Sequence, residues 1–238
     1  LKAAEGPRLG RQGMRTAALS RGILLLCAAV SCLQPRWERA FASLPRMSGE
    51  SKQKGQETIA DYDAVAAGFD AGNANHDVSQ NIESLLKPLL QQRGSSLEAA
   101  SPPPLDILDL GCAGGRDIVD FARRGHRPVG LEGSLAFCEL ARAKAAPLDA
   151  GIEVWQQNLC DMSLPPARFD GVFANAVLFH VPSDCLDAVL AQIYATLRPG
   201  GVFFASNAHG FGEDKEGWTS GRTPGTRSWV CWLSEASW

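Results

Sequence analysis

Within six positions, Leu105, Ile107, Leu108 and Leu110 form a dense apolar run. It is too short for a helix and reads as a strand buried on both faces. Gly111, Gly114 and Gly115 follow, and Ile118, Val119, Phe121 and Ala122 then recur at helical spacing. The alternation continues downstream. Strands are predicted over 105–110, 128–132, 152–156, 170–175 and 201–206, with helices between them. One helix covers 116–124 and closes at Gly125; another runs from a Ser134 cap to Pro147. A third starts after Ser183, carries Leu186, Val189, Leu190, Ile193 and Leu197 on one face, and stops at the RPGG of 198–201. Repeated β-α-β units imply right-handed crossovers. The fold class is therefore α/β, a Rossmann-like doubly wound, mostly parallel sheet with helices on both faces.

Ahead of that sheet the period is helical. Thr58 and Asp61 read as a capping pair, and Ile59, Tyr62, Val65, Ala66 and Phe69 make an apolar face behind them. A second helix starts near Ser79 with Ile82, Leu85, Leu86, Leu89 and Leu90, and Pro88 is expected to kink it. Residues 94–104, with three consecutive prolines, are a linker. Residues 57–104 thus form a helical lid and linker in front of a main domain over 105–238.

Residues 1–56 are of another kind. No acid lies between Glu5 and Glu38, whereas Arg8, Arg11, Arg15, Arg21 and Arg36 are basic. The apolar stretch 22–33 is shorter than the roughly 20 residues that span a bilayer, and Ala40-Phe41-Ala42 supplies a small-x-small site. Basic, then apolar, then small reads as a processing leader, and the Ser/basic stretch after it resembles plastid transit sequences. The expectation is an organellar, plastid location after removal of the leader, with no stable membrane span.

Composition narrows the function. The chain of 238 residues has a formal net charge of -3, so no basic footprint for nucleic acid is present. Its seven cysteines form no CxxC pair and no Cys/His spacing suited to zinc, so no metal site is expected.

Ligands of such a sheet bind at the carboxyl ends of its strands. One polar group stands at each end in turn: Asp109, Glu132, Asn158 with Asp161, and Asn175. A dinucleotide fingerprint would need glycine at 111, 113 and 116, where this chain has Gly111, Ala113 and Arg116. A carboxylate beside the glycine turn would also repel a pyrophosphate. S-adenosylmethionine, with a cationic end and a ribose for Glu132 to grip, suits the site better.

DLGCAGGRD, VGLEGS, VWQQNLCDM, FDGVFANAVLFHVP and LRPGGVFFASN resemble, in order, the motifs of class I S-adenosylmethionine-dependent methyltransferases. The stretch from Tyr62 to Phe69 (YDAVAAGF) and that from His76 to Ile82 (HDVSQNI) are similar to a bacterial-type subgroup. The resemblance implies that Asp109, Gly111, Cys112, Ala113 and Gly115 line the methionine end of the cofactor. Glu132, with Gly133 beside it, would take the ribose hydroxyls; Asn158 and Leu159 would meet the adenine, and Asn175 would close the pocket under the transferring methyl. Two departures stand out: Ala113 replaces a glycine, and Asn158 an acid. After Arg222 the expected last helix and strand pair are not evident, so the strand at 201–206 would be a bare edge unless residues 229–233 pair there.

The reaction expected is in-line transfer of a methyl group to a small-molecule acceptor. A base is needed only where the acceptor must lose a proton, and His180, His76 and Asp77 are the candidates. Each has a plain alternative: His180 bonding the loop backbone, Asp77 capping a helix. Tyr62 reads as a packing residue, and Trp218 and His209 could border the acceptor. A nicotinamide-dependent oxidoreductase and a cofactor-binding protein without catalysis are the competing functions.

Overall fold

In the computed structural model the described residues are 14–19, 23–29, 48–148, 151–208, 213–234, 236 and 237. Five parallel strands form the centre: β3 (Asp106–Leu110), β4 (Arg127–Glu132), β5 (Glu153–Gln156), β6 (Phe169–Asn175) and β7 (Leu197–Ala208). Two more, β1 (Met14–Leu19) and β2 (Ile23–Ala29), extend the sheet, whose order is β1-β2-β7-β6-β3-β4-β5. The order reverses between β3 and β6, and the crevice at that switch point is where a ligand of this fold lies.

Helices cover both faces, as the doubly wound pattern predicts. On one, α3 (Ser79–Gln92) lays Ile82, Leu85, Leu86, Leu89 and Leu90 on Ile107, Phe173 and Phe204. Beside it lie α4 (Arg116–Arg123) and α5 (Leu135–Ala145), packed through Ile118, Cys138 and Ala141. On the other face α6 (Ser183–Thr196) presses Cys185, Val189 and Ile193 on Leu108, Val172 and Ala205. Each such aliphatic side chain stabilises the fold by roughly 1.5–3 kcal/mol. The helix α3 continues through Pro88 rather than ending there.

Three expectations change. The first lid helix, α1 (Gly49–Asp63), starts nine residues before Thr58, with Ser48 as its cap, and the short α2 (Ala66–Asn73) follows it; the side chain of Ser48 accepts from the Ser51 amide. The early turns are polar (ESKQKGQE), so no apolar stripe announces them. Thr58 and Asp61 are buried contact residues inside the helix, not its cap. Second, Asp77 is a cap: its Oδ1 accepts from the Ser79 amide at 2.9 Å and from Ser79 Oγ at 2.6 Å. Third, β7 is not a bare edge. The backbone of Ile23–Ala29 pairs with it antiparallel, from Ile23 opposite Ala208 to Ala29 opposite Val202. An apolar run of that length suits a strand of the sheet as well as the core of a leader; apart from β1 and β2, the leader residues before Ser48 lie outside the described residues. Residues 229–233 do not reach β7, because β9 (Arg227–Trp232) pairs with β8 (Lys215–Ser220) in a separate hairpin. Among the described residues no helix is long and apolar enough to cross a membrane.

That hairpin holds the lid. Fully buried Asp61 of α1 accepts from the Arg222 amide at 2.7 Å, Arg222 Nη1 at 3.1 Å, Ser228 Oγ at 2.5 Å and Thr226 Oγ1. Burial works against the charge, but the hydrogen bonds of Ser228, Thr226 and Arg222 outweigh it and hold the carboxyl below its ordinary 3.8. Stability from a lowered carboxyl is complete above the unfolded value and is lost as pH falls through the folded one. Replacement of Asp61 by Ala strands four donors and should lower stability by about 2–4 kcal/mol in urea unfolding at pH 7. The difference from the unsubstituted chain should shrink as pH falls below 4.

Candidate functional site

The strand β3 runs straight into a turn in which Gly111, Ala113 and Gly115 all have positive φ, at 67°, 45° and 82°. Two are glycine, for which that region is free; Ala113 occupies it at a cost of order 1 kcal/mol. What holds Ala113 there is Glu132 at the end of β4, whose Oε2 accepts the Ala113 amide at 3.0 Å. Its Oε1 accepts from the Ser134 amide at 2.9 Å. Burial nevertheless keeps the Glu132 carboxyl above its ordinary value, against hydrogen bonds from Ser134, Ala113 and Gly133.

A cavity of about 610 Å³ opens over this turn. Its floor is Gly111, Cys112, Ala113, Glu132, Gly133 and Asn175; its far end is Asn158 and Leu159; the lid residues Gly55, Thr58, Ile59, Tyr62 and Phe69 close it from above. The helix α1 approaches closely because residue 55 is glycine: a Cβ there would stand 2.5 Å from Asn158 Oδ1. The Asn158 amide is itself tied to the lid, donating to the Lys52 carbonyl at 3.1 Å and accepting the Cys160 amide at 2.9 Å.

Three residues named from the sequence lie elsewhere. Asp109 is behind the turn rather than on the wall, 1% exposed, with Oδ2 lacking a partner. Burial, reinforced by the nearby charge of Asp117, pushes its carboxyl well above the usual range. It sits on the β3 face that α4 covers, so its side chain points under the helix. Gly115 is a packing glycine; a Cβ there would come within 2.8 Å of the Ala141 backbone. Asp77 is spent on its cap, away from the cavity. His76 reaches the rim, and its carbonyl accepts from Arg116 Nη1 at 3.5 Å.

Like Glu132 and Asp70, Asp117, in the first turn of α4, does line the cavity. Arg116 Nε pairs with its Oδ1 at 2.7 Å, and Asn175 Nδ2 donates weakly to its Oδ2 at 3.4 Å. Asn175 Oδ1 in turn accepts from Asn81 at 3.1 Å and from Ser206 at 2.6 Å. Sequence reasoning quoted the motifs holding Asp117 and Asn81 without assigning either residue a role. Helical spacing gave no direction for side chains that meet only when α3 and α4 cross the strand ends.

His180 ends a 3₁₀ turn after β6, and it does bond backbone: Nδ1 is 2.8 Å from the Trp229 carbonyl. A carbonyl only accepts, so Nδ1 carries the hydrogen and Nε2 the lone pair. Nε2 is 2.7 Å from Tyr62 Oη. Burial lowers the histidine to about 4, so it is neutral near pH 7, and burial raises the Tyr62 phenol to about 12. Arg222 also reaches Tyr62, with Nη2 donating to Oη at 2.5 Å. Tyr62 is thus no mere packing residue. Trp218 packs on Trp229 at 5.3 Å, outside the cavity wall, and His209 lies outside the described residues.

With this geometry in hand, residues 107–201 match the family described as a methyltransferase domain. Ubiquinone biosynthesis O-methyltransferase of Methylobacterium sp. (strain 4-46) is 31% identical over 102 residues, which are 43% of this chain and 40% of that one. Sterol 24-C-methyltransferase of Eremothecium gossypii is 34% identical over 100 residues, 41% of this chain and 26% of that one. The chain thus spans less than half the length of either relative. Among solved structures the DhpI–SAH complex has a TM-score of 0.54 at 24% identity, over 80% of this chain and 85% of that one. PH0226 protein from Pyrococcus horikoshii OT3 gives 0.51 at 17% identity, over 69% and 80%. These two structures share the fold of the methyltransferase domain.

S-adenosylmethionine fits the residues present. The glycine turn leaves backbone for close approach, and the Glu132 carboxylate retains a lone pair for a hydroxyl. Asp117 supplies the acidic side chain of the wall that Asp109 does not. The two carboxylates first named should therefore behave differently. In calorimetry with S-adenosylhomocysteine, Glu132→Ala should weaken binding about tenfold or more, the loss of one or two hydrogen bonds to a charged group. Asp109→Asn, which keeps the shape of a protonated acid, should change it less than about threefold.

Proposed function

We propose that the chain is an S-adenosylmethionine-dependent methyltransferase acting on a small-molecule acceptor. The single observation that carries this reading is the cavity itself, with a strained Ala113 turn fixed by Glu132 at one end and the His180–Tyr62 pair at the other. The bound cofactor supplies an activated methyl group on a positively charged sulfur. Glu132 holds ribose hydroxyls, Asn158 and Leu159 meet the adenine, and Asp117 and Asn175 face the methionine end. The lid excludes water by resting on the strand ends through Gly55, Ile59 and Tyr62. Holding a nucleophile in near-attack geometry provides much of the acceleration for such a displacement, without a covalent intermediate on the protein. His180, whose Nε2 accepts from the Tyr62 hydroxyl, is a candidate base set in the cavity wall; Asp77 is committed to its cap.

Titration calorimetry separates this reading from its rivals. S-adenosylmethionine and S-adenosylhomocysteine should bind and NADH should not; the reverse would make the chain an oxidoreductase. Cofactor binding with no label transferred to any acceptor in a methyl-label screen would leave a binding protein.

We further infer a plastid location, from the basic-apolar-small pattern of the first 56 residues. A fluorescent protein fused behind residues 14–56 should enter plastids in an algal host, and diffuse cytosolic signal would reject the idea.

A further inference from the structure

We propose that Tyr62 is the residue that receives the methyl acceptor, and that the acceptor presents an aromatic hydroxyl to it. This deepens the methyltransferase reading and rests on it. His180 Nδ1 gives its hydrogen to the Trp229 carbonyl, so Nε2 can only accept, and the Tyr62 hydroxyl spends its sole hydrogen there. Arg222 Nη2 donates to the same oxygen and takes one of its two lone pairs. One lone pair of Tyr62 Oη is left. Whatever binds against it must donate, which selects O–H or N–H and disfavours a tertiary amine or a thioether.

The surroundings choose between those two. Phe69, Phe137 and Phe179 line the same cavity as the Tyr62 ring. Tyr62 meets Phe69 edge to face at 5.6 Å, and Phe69 meets Phe137 at 5.7 Å, a wall suited to a flat ring. Asn207, 1% exposed and also lining the cavity, has no partner at either amide atom among the described residues and can hold a second polar group of the ligand. A hydroxyl gains most from a proton acceptor of this kind. As its oxygen bonds to the methyl carbon and the carbon–sulfur bond breaks, the O–H becomes strongly acidic. Its proton passes to Tyr62 Oη while the tyrosine proton passes to His180 Nε2. The positive charge lost at sulfur reappears as one imidazolium. Because His180 is a weak base in its buried setting, the proton moves with the methyl group and not before it.

The test uses the full chain loaded with S-adenosylhomocysteine and two probes of one shape, para-fluorophenol and para-fluorotoluene, followed by fluorine NMR. The phenol should bind about tenfold tighter than the toluene, the worth of one buried hydrogen bond. Tyr62→Phe should erase that preference while leaving affinity for S-adenosylhomocysteine unchanged, which also certifies its fold. With S-adenosylmethionine the phenol should be converted to para-fluoroanisole, and His180→Asn should slow that conversion by about a hundredfold. Equal affinity for the two probes, binding of neither, a preference that survives Tyr62→Phe, or faster methylation of para-fluoroaniline would each overturn the proposal. Failure of the unsubstituted chain to bind S-adenosylhomocysteine at all would instead reject the methyltransferase reading beneath it.

Discussion

One buried carboxylate decides where the lid sits. Asp61 gathers the Arg222 amide and guanidinium and the hydroxyls of Thr226 and Ser228, and so fastens α1 to the carboxyl-terminal hairpin. The next residue is Tyr62, whose ring faces the cavity and whose hydroxyl meets His180. A residue next to a fixed anchor in a helix has little freedom, so the anchor sets the place of the phenol oxygen. The same hairpin supplies the Trp229 carbonyl that orients His180, and the Trp229 amide bonds Thr58 Oγ1 at 2.8 Å. Lid, hairpin and strand end therefore meet at one point, and chemistry there depends on all three.

The charges are arranged with similar economy. Of the two acids near the glycine turn, Asp109 is sealed under α4 and favours its protonated form, whereas Asp117 stands on the wall paired with Arg116. Glu132 braces the turn through the Ala113 amide and still has lone pairs to offer. Ala113 stays in a region that costs an L-residue energy because that hydrogen bond holds it. The turn and the second strand are therefore one unit.

Much of this was legible in the residues alone. Apolar runs separated by glycine turns and helical faces give the five parallel strands and the helices on both faces, because burial from both sides leaves a periodic mark. The ordered motifs from Asp109 to Asn207 point to the same fold and to a methyltransferase domain, which the match over residues 107–201 supports independently. The start of helix α1 leaves no mark in the sequence because its first turns, from Gly49 to Glu57, bury their small faces at Ser51 and Gly55 and present no apolar stripe. The strand beside β7 is hidden in the sequence because an apolar run at 23–29 is compatible with a leader and with a strand, and periodicity does not separate the two.

What the sequence by itself determined, then, is the five parallel strands, the helices between them and the strand ends at which a ligand meets the chain. These follow from local patterns that any buried strand or helix must show. Only the tertiary structure decided which acid faces the cavity, that Asp77 serves a helix end, and that His180 is oriented by a carbonyl 49 residues away while its other nitrogen takes the proton of Tyr62. Those relations depend on side-chain direction and on contacts between distant segments, and neither leaves a periodic signal in the chain.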